Sequence, residues 1–223
     1  MIRSIFFKEF YKIRWFMLMI LLVNLAVSIY VMITTRRLFI LDHPEIVWYR
    51  VLALEQINYD DFKYLPMFTG IIVAVIQYLP EMWQQRLRLS LHLPMSSWKL
   101  VFIHVLIGLS AFSLTLLPDA AILTWITGKF FPYQALFTVW MTALPWFMAG
   151  GVAYLGCTLV LLEPNLKLKA FNMIILAAAT GLYLQPAVPG GYAKIIGFLL
   201  LPLILMIFSV LLPAYRFRYR RVG

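Results

Sequence analysis

Residues 80–99 read PEMWQQRLRLSLHLPMSSWK, a basic and polar stretch held between two long apolar runs. The run before it, 64–79, carries no charged residue at all. The run after it, 98–127, holds only Lys99 and Asp119 among Asp, Glu, Lys and Arg. Runs of this kind approach the ~20 residues that a helix needs to cross about 30 Å of hydrocarbon. They lack the in-out alternation of a barrel strand, and helices satisfy every backbone polar group internally. The reading of 80–99 as a break between two spans therefore sets the class of the fold.

Composition agrees. Of 223 residues, 63% are hydrophobic and 13% charged, against roughly 25% charged in soluble domains. The net charge of +10 raises nucleic acid as a partner, but Lys and Arg cluster in short polar segments between apolar runs. That is the pattern of a membrane protein oriented by its cytosolic charges, so no nucleic acid is expected. One cysteine, Cys157, lies inside an apolar run and excludes a disulfide within the chain.

Working outward, the expected architecture is an all-α integral membrane protein forming a single transmembrane domain over 1–223. It has six spans, at about 15–34, 64–79, 98–127, 134–162, 170–184 and 193–212. The basic start is followed by a run, Trp15 to Ile33, too long for a signal-peptide core and without an A-x-A-like site, so it reads as a retained first span. Residues 2–14 read as an N-terminal interfacial helix. Ile2, Phe6, Phe10 and Ile13 form its apolar arc, Lys8 and Lys12 lie on another face, and Glu9 near the arc is within reach of Lys12 at i+3. A plain basic anchor to headgroups accounts for this segment equally well. In the loop 35–63, Asp42-His43-Pro44-Glu45 is a helix start with Asp42 as cap, for a surface helix running to Gln56. Pro118 kinks the third span or ends it, and Pro145 is a kink in the fourth. Ala149, Ala153 and Cys157, with Gly150, Gly151 and Gly156, make a close-packing face, and Ala177 with Gly181 makes another. Residues 185–191, QPAVPGG, form an outer turn.

Lys and Arg number four, three, two and four in the segments on the N-terminal side, 13 in all, against 6 on the other. The positive-inside bias places both termini in the cytosol of a cell in whose cytoplasmic membrane the chain is a multi-pass protein.

Motifs for chemistry are missing. Gly128-Lys129 is followed by Phe130 and has Leu123 at the upstream glycine position, so no phosphate loop exists. There is no GxSxG, HExxH or cysteine pair, and His43, His92 and His104 stand at no metal-ligand spacing. No enzyme activity and no cofactor are expected. Asp119 is an ionisable residue in an apolar run, which marks a candidate for a pathway; the alternative, favoured here, is a cap for a segment 120–127 at the outer headgroup level. Glu163 is placed at the inner interface near Lys167.

Within 80–99, Trp83, Leu87 and Leu91 recur at i, i+4 and i+8, one face of a helix, with Arg86 and Arg88 directed elsewhere. The same residues, RLRLSLHL at 86–93, also alternate as a strand does. An isolated strand at a membrane surface leaves its edges unpaired, which favours a helix from Pro80 to His92, stopped by Pro94 and followed by a Ser96 or Ser97 cap.

This arrangement resembles the membrane subunit of a type-2 ABC exporter. The matching pieces are FFKEFYKIRW at 6–15, EMWQQRLRLSLHLPMSSWKL at 81–100, and the Pro/Gly turn at 185–191. The resemblance implies that 81–92 is a short cytosolic coupling helix between spans two and three, with Glu81, Trp83, Arg86, Leu87, Arg88 and Leu91 as contacts for a separate cytosolic ABC ATPase. It also implies a role in coupling for Lys8, Glu9 and Lys12, and a second permease copy, in membrane lipid, to complete the pathway. The competing readings are a non-transport scaffold or assembly factor recruiting a cytosolic partner through its basic loop, and a membrane-embedded lipid enzyme using Asp119 with a histidine.

Overall fold

The computed structural model describes residues 2–83, 96–185 and 188–219. They form helices and turns with no strand among them. The helices are α1 (Ile2–Leu41), α2 (Pro44–Leu52), α3 (Leu65–Trp83), α4 (Ser97–Phe130), α5 (Tyr133–Leu162), α6 (Leu166–Leu184), α7 (Leu200–Ser209) and α8 (Leu211–Tyr219), with one 3₁₀ turn at Asp60–Phe62. Among the described residues, five segments are long and apolar enough to cross a membrane: Arg3–Leu41, Asp60–Trp83, Trp98–Phe130, Tyr133–Leu162 and Leu166–Leu184. The sixth expected span, 193–212, is not one helix. Backbone bonds of the i→i−3 type run from Gly191 to Leu201, and the shorter apolar helices α7 and α8 follow. Gly190 and Gly191 at the start favour turns, and Pro202 and Pro213 each remove a helix N–H. Tyrosine hydroxyls serve the carbonyls of this part of the chain: Tyr183 donates to Leu199 and Tyr192 to Leu182.

Helix α5 is the centre. Ala149, Val152, Ala153, Tyr154 and Leu155 are fully buried, and α3, α4, α6 and α7 pack around it. The small residues explain the approach. A Cβ on Gly70 of α3 would sit 2.1 Å from the Gly150 carbonyl oxygen, and one on Gly150 would sit 2.4 Å from that of Pro66. Backbones this close are the membrane form of helix packing, where dispersion replaces the hydrophobic drive. The second small-residue face differs: Ala177 is exposed, and a Cβ on Gly181 would meet nothing within 4 Å. That face of α6 turns away from the protein's own helices.

Four other elements depart from expectation. Residues 2–14 are the first turns of α1 and not a separate helix. Their expected apolar arc is divided, with Phe6 and Phe10 exposed, while Ile13 points in together with Ile5 and Glu9. Helix α4 runs through Pro118 without ending, and α3 continues through Pro80 to Trp83. Helix α2 begins at Pro44 with His43 in the cap position, and it stops at Leu52. Asp42 instead pairs with Arg50 at 2.6 Å, and Trp48 donates from its ring N–H to the Phe130 carbonyl, tying α2 to the end of α4.

Substituting Gly70→Ala inserts a methyl against backbone that has no room to yield. It is expected to cost about 1–3 kcal/mol of folding stability, read by unfolding in detergent, whereas Gly181→Ala is expected to leave stability unchanged.

Candidate functional site: a buried ionic junction at the base of the 84–95 segment

The N-terminal turns of α1, the last turns of α3 and the start of α4 meet around Lys12. An ammonium has three donors, and all three are used. Lys12 Nζ bonds Glu9 at 2.9 Å, the Gln77 carbonyl at 2.9 Å and Glu81 Oε1 at 3.3 Å. Its distance to the second Glu9 oxygen is 2.7 Å. Lys8 reaches the same Glu81 oxygen at 3.0 Å. Two carboxylates and two ammonium groups thus balance, which is what allows Glu9 (0% exposed) and Glu81 (2%) to be buried.

The local sequence makes this possible. Glu9 and Lys12 stand three apart, so they share a helix face. Pro80 removes a backbone N–H and crowds the turn before it, and the Gln77 carbonyl in that turn accepts from Lys12. The Gln77 side chain works in the other direction. Its amide N–H donates to the His104 carbonyl at 2.8 Å, and its amide oxygen accepts from the Tyr154 hydroxyl at 2.8 Å. Gly108 admits this pair, since a Cβ there would lie 1.9 Å from the Tyr154 hydroxyl oxygen and 2.2 Å from the Gln77 amide oxygen. His104 Nδ1 lies 2.8 Å from the Leu100 carbonyl, which can only accept, so Nδ1 carries the hydrogen. Its Nε2 lies 3.8 Å from Glu9 Oε1. Four helices are therefore joined through one connected polar set.

Of the residues singled out from sequence, Lys8, Glu9, Lys12 and Glu81 come together here, with the i,i+3 pairing of Glu9 and Lys12 as expected. Glu81 faces inward against α1, not outward to a partner. Trp83 is 84% exposed. Arg86, Leu87, Arg88 and Leu91 lie outside the described residues. His104, expected to bind no metal, has a structural place here, and Gln77, Gly108 and Tyr154 are not marked by any motif. The signal of Gln77 and Tyr154 is a polar side chain inside an apolar run, which tends to face the bundle interior.

Asp119 is not a cap. It lies inside α4, fully buried, and its Oδ1 accepts from Ser28 of α1 at 2.8 Å. Asn24, one turn earlier on α1, accepts from Thr69 of α3 at 3.1 Å. Glu163 pairs with Arg216 at 2.7 Å and not with Lys167; Asn165 caps α6 through the Lys167 backbone N–H. Among the described residues no group of His, Cys, Asp and Glu could hold a metal ion. Comparison of the chain with protein-family models, with curated proteins and with solved structures found no match.

Replacing Lys12 by Met leaves Glu9 and Glu81 buried without their shared cation. Removing one partner of a buried pair costs about 3–5 kcal/mol, so Lys12→Met is expected to unfold at far lower denaturant than the native chain. Lys8→Met, at a half-exposed position, is expected to shift the midpoint little.

Proposed function

We propose that this chain is the transmembrane permease subunit of an ABC exporter, working with ATP hydrolysis on a separate cytosolic subunit. On this reading it crosses the cytoplasmic membrane six times with both termini in the cytosol. The sixth crossing comes from the stretch 193–212, and the first turns of α1 lie at the inner interface. Two copies, or this chain and a relative, enclose the pathway. The segment 81–92 is the coupling helix that takes the thrust of the ATPase.

The observation that carries the reading is the double hold of α1 on Glu81. Lys8 and Lys12 both grip the carboxylate that stands three residues before the 84–95 segment. A displacement of that segment is then passed to α1 and α3 as a pair, and through Gln77 to α4 and α5. An anchor or a passive scaffold has no need of a buried four-helix junction directly behind its docking segment. Trp83, exposed at the end of α3, supplies an aromatic anchor of the type that dominates interfaces.

The test is to look for an ABC ATPase in the neighbouring reading frame, co-purify it with this chain and measure its hydrolysis. Capture of the ATPase by the native chain is expected. The triple substitution Trp83→Ala, Arg86→Ala, Arg88→Ala is expected to weaken binding and stimulated hydrolysis roughly tenfold or more, as for loss of an aromatic and arginine anchor. Binding and stimulation both left intact by the triple variant would rule out 81–92 as the coupling element.

A further inference from the structure

We propose that Asp119 is a proton-binding site at the contact of α1 and α4, with its carboxyl carrying a proton on Oδ2 in the folded protein at neutral pH. The inference does not rest on the permease reading. Its first support is depth. The lipid-facing side of α1 is apolar from Trp15 through Phe16, Met19, Leu22, Val23, Ile29 and Ile33. Asn24 and Ser28, which face Asp119, lie within that band. On α4, Leu114, Leu117 and Trp125 are exposed around it. The carboxyl therefore sits at hydrocarbon level, facing the interior.

The second support is the company it keeps. From α1 it meets the Ser28 hydroxyl and the Asn24 amide, and from α3 Thr69 holds that amide in turn. None of these is titratable. The apolar cluster beyond it, toward the Asp60–Phe62 turn, holds Val31, Leu123, Ile126, Trp146 and one ionisable group, Tyr59. Among the described residues no Lys, Arg or His pairs with Asp119. A hydroxyl and an amide, both neutral, are a poor counterweight for a bare carboxylate removed from water. Glu9, Glu81 and Glu163, the other buried carboxylates, each have a cation.

The third support is an unmet pair of atoms. Asp119 Oδ2 and Asn24 Nδ2 are both buried and lack a hydrogen-bond partner among the described residues. Asn oxygen and nitrogen are nearly the same shape, and their assignment follows the network. Turning the Asn24 amide over lets its N–H donate to Thr69 and its oxygen face Asp119. A proton on Oδ2 then donates to that oxygen, while Oδ1, now the acid carbonyl, keeps the bond from Ser28. The amide turned the other way also gives Oδ2 a partner but leaves a charge buried without a cation, whereas one proton removes the charge and gives both atoms a partner.

Infrared spectroscopy of the full chain in lipid nanodiscs at neutral pH tests this. The chain has four aspartates, and Asp119 alone is buried. A protonated-acid carbonyl band is expected, moved by ¹³C-labelling of aspartate and lost in Asp119→Asn. Ser28→Ala is expected to shift it to higher frequency, because the acid carbonyl loses its donor. No label-sensitive acid band in the native chain would overturn the proposal, and that measurement needs no variant to fold. A band indifferent to Ser28→Ala would overturn the assignment of the proton to Oδ2.

Discussion

The ammonium of Lys12 is the interaction on which the rest of the structure depends. It is the shared partner of two carboxylates that could not otherwise be buried, and it also takes a backbone carbonyl of α3. Each bond fixes a different relationship. Glu9 holds the lysine to its own helix, and Gln77 and Glu81 set which face of α3 meets α1. Buried ion pairs are poor sources of net stability but severe penalties when half is missing. Lys12 thus selects one packing of α1 on α3 more than it strengthens it.

The junction is one end of a larger pattern. The inward stripe of α1 holds Glu9, Asn24, Ser28 and Thr35, all buried, while its outward face is Phe, Leu, Met and Ile. This is the reverse of a soluble amphipathic helix, and it suits a helix whose outside is lipid. Polar contacts then recur at two levels along α1, at Glu9–Lys12 and at Asn24–Ser28, each reaching α3 and α4. Beside the second of these, at Gly70 and Gly150, α3 and α5 pack backbone to backbone with no polar side chain involved.

Most of the helical layout was legible in the chain. Long apolar runs, the Gly/Ala face of α5 and the i,i+3 pair of Glu9 and Lys12 are local patterns, and local patterns survive folding. What local pattern does not decide is what a partner helix decides. Pro80 reads as the start of a new helix and Pro118 as a kink or an end, yet α3 runs through Pro80 and α4 does not end at Pro118. The arc of Ile2, Phe6, Phe10 and Ile13 is split in α1: Phe6 and Phe10 face outward, while Ile13 packs inward on the side where Glu9 and Lys12 meet Glu81 and Gln77. His104, Gln77 and Tyr154 lie far apart in sequence, and nothing in their spacing shows that Gly108 leaves room for them to meet. Asp119 resembled a cap only so long as Ser28 was unseen.

A double-mutant cycle on Lys12 and Glu81 measures the central contact directly. Unfolding free energies of Lys12→Met, Glu81→Gln and the double variant, in one bilayer mimetic, give the coupling between α1 and the end of α3. A shared buried network predicts a coupling of about 1–3 kcal/mol, with the double variant less damaged than the sum of the singles. Additivity to within about 0.5 kcal/mol would contradict it.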